Sequence, residues 1–153
     1  MVAKAVDDVI HSMRLQNEVF IAAPIAAAFE AILEELGPAS TMPGGKPMPM
    51  TLEPWPGGRW LRDLGNGTGH LWGHVQVIKP PSLLEITGPL FMSYACCNHV
   101  QYRLVAENNG TLLKLTHCAI GQIAAEHREG VIEGWTHGLS RIRELAESGR
   151  RST

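Results

Sequence analysis

Residues 127–142, HREGVIEGWTHGLSRI, place Val131, Trp135, Leu139 and Ile142 at helical spacing. With Ile123 and Ala146 they form an apolar stripe that predicts an amphipathic helix over about 122–148, able to lie on a sheet. The same stretch carries Gly130, Gly134 and Gly138, four residues apart and therefore on one side of that helix. Each glycine costs a helix about 1 kcal/mol relative to alanine. Three in a row imply that this side needs room, either for close approach of another element or for a cavity, unless the helix is exposed and loosely wound. Gly149 stands at a plausible C′ position, with 149–153 as a tail.

Upstream of the helix, NHVQYRLVAENNGTLLKLTH (98–117) is a hairpin with Asn109-Gly110 as the turn signal. Val100, Tyr102 and Leu104 share one face of its first arm, and Leu113, Leu115 and His117 one face of its second. Before it, RWLRDLGNGTGHLWGHVQVIKPP offers two strands around a turn at GNGTG, and LLEITG a further short strand. At the start of the chain, RLQNEVFIAAP (14–24) reads as a strand with Val19 and Ile21 on one face. A helix follows from Pro24, carrying Ile25, Phe29, Ile32, Leu33 and Leu36, and Gly37-Pro38 stops it. Residues 1–14 are expected as an arm, flexible or helical.

Between helix and hairpins, residues 37–58 are dense in Pro and Gly and predict a long loop with an extended piece around Met48 to Leu52. Its Met42, Met48, Met50 and Trp55 are unusual for a solvated linker and would suit a lid as well as plain packing.

The chain has 153 residues, 44% of them apolar and 18% charged, which fits one globular domain, 1–153. A formal charge of −2 gives no basic footprint, so nucleic acid is not an expected partner. No apolar run approaches the roughly 18–20 residues of a membrane span, and the N-terminal residues lack a signal-peptide core. A cytoplasmic address is the resulting expectation. Cys96, Cys97 and Cys118 form no disulfide framework or zinc pair and read as reduced, mostly buried thiols. No nucleophile elbow, phosphate loop, dinucleotide fingerprint or zincin motif is present, and neither cofactor nor metal is expected.

The order strand, helix, Pro/Gly-rich segment, antiparallel strands and long C-terminal helix is an α+β pattern. Five segments, VFIAAPIAAAFEAI, PGGRW, GHVQVIKPPSLLEIT, NGTLLKLTHCAIG and GWTHGLSRI, span roughly residues 15–147. In them the chain resembles the SRPBCC (START/birch-pollen-allergen-like) superfamily, and within it the group related to the activator of heat-shock-protein-90 ATPase. The resemblance implies a helix-grip fold, a curved antiparallel β-sheet wrapped around the C-terminal helix with room between them for an apolar or amphipathic ligand. It also implies a short second helix after the first, for which TMPGGKPMPMT is poor material.

Pockets of this kind have apolar walls with a few polar groups aimed inward. The inward candidates are Trp60, Trp72, Tyr102, Leu113, Leu115, His117, Val131, Trp135 and Leu139. His117, at a position where the resemblance also expects a histidine facing the helix, is a satisfied core histidine, a ligand contact or an acid/base group. His70, Trp72 and His74 share one strand face, while Leu71, Gly73, Val75 and Val77 on the other would ordinarily turn to the core. Trp72 then stands exposed as a partner surface; a flipped strand, or one bulged near Gly73, would instead bring Trp72 and both histidines to the cavity. Asp63 and Glu85 read as solvated strand residues unless one meets a histidine. Three functions follow as expectations: a small-molecule binding protein for a lipid- or polyketide-like ligand, oriented by Tyr102 and His117; a polyketide cyclase- or dehydratase-like enzyme using those two residues; or an interaction protein with a chaperone partner. An exposed Trp72 would favour the last, or a homodimer through the sheet.

Overall fold

A computed structural model describes residues 2–5 and 9–151. The elements are β1 (His11–Ile21), α1 (Ile25–Glu35), β2 (Thr51–Leu52), β3 (Arg59–Gly65), β4 (Thr68–Lys79), β5 (Leu83–Gly88), β6 (Cys96–Glu107), β7 (Gly110–Gly121) and α2 (His127–Arg151). The strands form one antiparallel sheet in the order β1-β7-β6-β5-β4-β3-β2, and the two helices pack on one face of it. This is the α+β helix-grip fold.

Alternation sets which strand face is buried. Val100, Tyr102 and Leu104 of β6 and Leu113, Leu115 and His117 of β7 are all within 3% of full burial, as their period of two requires. The β6–β7 turn, however, is the two-residue loop Asn108-Asn109, with Glu107 paired to Gly110. Both asparagines have positive φ, 50° and 60°, the signature of a type I′ hairpin turn. The turn thus sits one residue earlier than Asn109-Gly110 suggests, and Gly110 begins β7. On α2, Val131, Leu139, Ile142 and Ala146 are buried, and Ile123 is buried too but belongs to the connection preceding the helix.

The ends of the chain differ from expectation. β1 begins at His11, inside the segment read as an arm, because residues 11–21 pair continuously with β7. Val6, Asp7 and Asp8 lie outside the described residues. α2 runs through Gly149 to Arg151, so the tail expected from 149 is helical at least that far. Residues 37–58 hold only β2 and an isolated Thr41–Pro47 bridge, with no second helix. Met50 is buried, whereas Trp55 is exposed. The cysteines are free, but Cys97 is exposed and Cys96 and Cys118 are half-buried, because strand alternation turns two of the three away from the core.

A bulge in β4 places the site. Trp60 pairs with Gly73 and Leu61 with Leu71, which leaves Trp72 as an extra residue between them. Gly73 is required by close approach: a Cβ there would stand 2.6 Å from the Thr87 carbonyl oxygen. The bulge turns Trp72 inward, edge-on to Trp60 at 5.0 Å between ring centroids. His70, Leu71 and His74 remain exposed, so the exposed-Trp72 arrangement and the paired inward histidines are both replaced by an inward Trp72 alone.

Candidate functional site

α2 meets the sheet and α1 along different sides. Its core stripe runs through Val131, Trp135 and Leu139, and the glycines lie one residue earlier, about 100° around the helix axis. At Gly130 and Gly134 no heavy atom lies within 4 Å of where a Cβ would stand, so neither close packing nor contact explains them. At Gly138 the nearest atoms are the Glu35 carboxylate oxygens, at 3.7 Å. All three glycines line a partly enclosed cleft of about 270 Å³. Gly138 is buried and Gly134 half-buried against this wall, whereas Gly130 is exposed at its rim, so an exposed helix describes the Gly130 end alone.

The opposite walls come from three places. The end of α1 and the segment after it supply Glu35, Leu36, Ser40, Thr41, Met42, Pro43 and Met48. The sheet supplies Trp60 and Trp72, and the β5–β6 connection Phe91. On α2, Trp135 and His137 complete the lining. Met42 and Met48 therefore line the hollow, Met42 exposed at its edge and Met48 packed against the core. The aromatic rings form a connected row: Trp72–Phe91 at 5.6 Å and Phe91–Trp135 at 6.4 Å, both edge-to-face, continue the Trp60–Trp72 contact. At the rim, Thr41 Oγ1 and His137 Nε2 are hydrogen-bonded at 2.8 Å, tying the loop to α2. Trp60 donates its indole N–H to the Leu36 carbonyl at 2.7 Å, which caps the end of α1 and fixes Glu35 beside it.

Glu35 is the group that sequence reasoning missed. It is only 7% exposed, and among the described residues it makes no hydrogen bond. Burial pushes its carboxyl up to about 8, against the opposing pull of the Arg141 guanidinium. The signal was present: Ala28, Ile32 and Glu35 stand at i, i+4 and i+7, so the apolar stripe of α1 ends on a carboxyl.

Of the expected site residues, Trp60, Trp72 and Trp135 come together in the cleft. Tyr102, Leu113, Leu115, His117, Val131 and Leu139 do not line it; they belong to the packed core beneath, because the sheet closes onto α2 along that stripe. His117 is fully buried with both ring nitrogens engaged. Trp135 donates its indole N–H to His117 Nδ1 at 2.9 Å, so the proton must sit on Nε2, which donates to Asn98 Oδ1 at 2.6 Å. Asn98 Nδ2 in turn donates to the Gly88 and Pro89 carbonyls at 3.1 and 3.2 Å. Burial holds the His117 imidazole down to about 4, so at neutral pH it is an uncharged link in this relay. Burial, with the Glu35 charge nearby, pushes the Tyr102 phenol well up, so it too stays neutral. Glu85 meets His99 at 2.7 Å on the outer face of the sheet, away from the cleft. Among the described residues no group of three His, Cys, Asp or Glu is placed to hold a metal ion, and no helix is long and apolar enough to cross a membrane.

The family model described as Activator of Hsp90 ATPase homolog 1-like protein matches residues 22–147. No curated protein matches the sequence. Among solved structures, a putative uncharacterized protein from Rhizobium leguminosarum is similar with a TM-score of 0.72 at 18% identity, covering 92% of this chain and 97% of that one. Ara h 8.0201 is similar with a TM-score of 0.66 at 12% identity, covering 90% of this chain and 99% of its own. The di-domain ARO/CYC StfQ from the steffimycin biosynthetic pathway is similar with a TM-score of 0.66 at 12% identity, over 93% of this chain and 52% of that one. At these identities the likeness is one of fold.

Proposed function

The chain belongs to the Activator of Hsp90 ATPase homolog 1-like family, and on that footing we propose that it binds an apolar or amphipathic small molecule in the cleft beside α2. One observation carries this reading: Gly130 and Gly134 have open space where a side chain would stand, and with Gly138 they line a cleft walled by three tryptophans and Phe91. A helix gives up about 1 kcal/mol for each such glycine, and a sequence that keeps three on one side retains volume at the expense of stability. The volume is ample for a small ring compound, since an apolar cavity of about 150 Å³ already takes up benzene.

The ligand is held by the cleft walls rather than by the pair Tyr102 and His117. An acid/base role for His117 has little support: its ring is buried, neutral and committed at both nitrogens, and it has no face on the cleft. Likeness to a di-domain ARO/CYC protein at 12% identity carries the fold and leaves the chemistry open. The inward turn of Trp72 removes the aromatic patch that would have favoured a chaperone partner or a homodimer through the sheet.

Titration of the protein with a panel of neutral aromatic and aliphatic compounds tests the reading, with tryptophan emission as the signal. Three of the four tryptophans line the cleft, so a saturable change is expected, and Gly134→Leu should remove it. Emission that stays constant across the panel, or a response that Gly134→Leu leaves intact, would overturn it.

A further inference from the structure

Resting on the binding role just proposed, we infer that the cleft selects neutral ring compounds carrying a carbonyl-type hydrogen-bond acceptor, and that Glu35 is the group that holds the acceptor. Glu35 ends α1 and reaches across to α2, its two carboxylate oxygens each 3.7 Å from the Cβ position of Gly138. It is nine-tenths buried, lines the cleft and makes no hydrogen bond to any described residue. Its oxygens are not sealed off from the cleft, so they are free to pair with whatever occupies it, a ligand atom included.

The groups around it decide which atom. From α2, Arg141 lies close enough to draw the carboxyl toward ionisation, but its Nη1 donates to Glu144 at 3.0 Å. His137, also on α2, is held by Thr41, and Tyr102 of β6 approaches from below. No lysine or arginine lines the cleft. An anionic ligand would therefore find no lysine or arginine on the cleft wall, only the carboxyl, the Ser40 hydroxyl, the Thr41–His137 pair and apolar or aromatic side chains. An organic cation would require Glu35 to ionise in that apolar setting, which burial opposes up to about pH 8. A neutral acceptor takes the carboxyl as it stands, with its O–H as donor. The cleft's 270 Å³ suits one or two fused rings stacked among Trp60, Trp72, Phe91 and Trp135.

The test uses three naphthalenes that differ only in the substituent at ring position 2: 2-acetylnaphthalene, 2-naphthylmethylamine and 2-naphthoate. Each is titrated into the full chain by calorimetry at pH 6.5 and pH 9. At pH 6.5 the ketone should bind about tenfold tighter than the amine or the carboxylate, the scale of one buried hydrogen bond. Its affinity should fall about tenfold at pH 9, because only the protonated fraction of Glu35 is competent. The ketone itself has no group titrating between those pH values. Glu35→Gln should keep ketone binding through its amide N–H and lose the fall at pH 9, while Glu35→Leu should lose the preference for the ketone. An amine that binds as tightly as the ketone, or a preference that survives Glu35→Leu, overturns the inference. Equal binding of all three overturns it while leaving the carrier role intact; no binding by any of them overturns both.

Discussion

Replacing Gly130 and Gly134 together by alanine should give a protein more stable than the native chain and a weaker binder. Both residues lie in α2, and nothing stands within 4 Å of either added methyl group, so no steric cost opposes the gain in helix propensity. That gain is about 1 kcal/mol at each site, somewhat less at Gly130 because it lies in the first turn. A total near 1.5 kcal/mol should raise the melting temperature by roughly 3–6 °C in a domain of this size. The same two methyl groups enter the cleft and should weaken 2-acetylnaphthalene measurably, and Gly134→Leu should weaken it by more than about tenfold, as loss of the apolar contact area implies. Thermal unfolding followed by circular dichroism, paired with calorimetric titration, reads both effects on the same samples. A lower melting temperature for the double alanine variant would mean that the stripe is packed after all. Native affinity in Gly134→Leu would mean that ligand binds elsewhere.

Other expectations follow from the polar groups. The folded chain keeps a proton on Glu35 up to about pH 8, whereas an unfolded glutamate releases it near 4.5, so the folded state binds more protons and stability falls as pH rises through that window. His117 acts in the opposite sense: its folded imidazole stays neutral down to about 4, against 6.5 when unfolded, so its contribution is lost as pH falls from 6.5 to 4. Between pH 6.5 and 8 only the Glu35 effect of the two remains, worth up to about 2 kcal/mol at 1.36 kcal/mol per pH unit, and Glu35→Gln should flatten it in denaturant titrations. Trp135→Phe removes the donor to His117 Nδ1 and should cost about 1–3 kcal/mol of stability by urea unfolding; an unchanged midpoint would deny the relay its structural weight. Gly73→Ala would push a methyl group to 2.6 Å from the Thr87 carbonyl, so it should lower the melting temperature and disturb the Trp72 environment in near-ultraviolet circular dichroism.

Much of the architecture was legible in residue spacing. Alternation in 98–117 identified the buried face of β6 and β7 correctly, and the i, i+3, i+4 stripe of 127–142 identified the core side of α2. The glycine stripe posed the right question, though not its answer, since periodicity marks faces and says nothing about whether the opposing surface reaches them. Trp72 was ambiguous for a definite reason: a one-residue bulge flips a side chain without leaving a trace in the period-two pattern. Tyr102 and His117 were legible as inward residues, yet an inward residue belongs to a pocket only where the core leaves space. Beneath α2 the sheet leaves none at those two positions, and the opening lies instead toward α1 and the Met42–Met48 segment. Glu35 was within reach, sitting on the stripe of Ala28 and Ile32, but beside Glu34 before a Gly-Pro stop it reads as a solvated helix end.

The amide resonances of Gly130, Gly134 and Gly138 report most directly on whether the hollow beside α2 receives a ligand. In a nitrogen–proton correlation spectrum titrated with 2-acetylnaphthalene, these three and the indole N–H signals of Trp60, Trp72 and Trp135 should move together along one saturable curve. Shifts confined to the outer face of the sheet, or glycine signals that stay fixed while others saturate, would contradict the account.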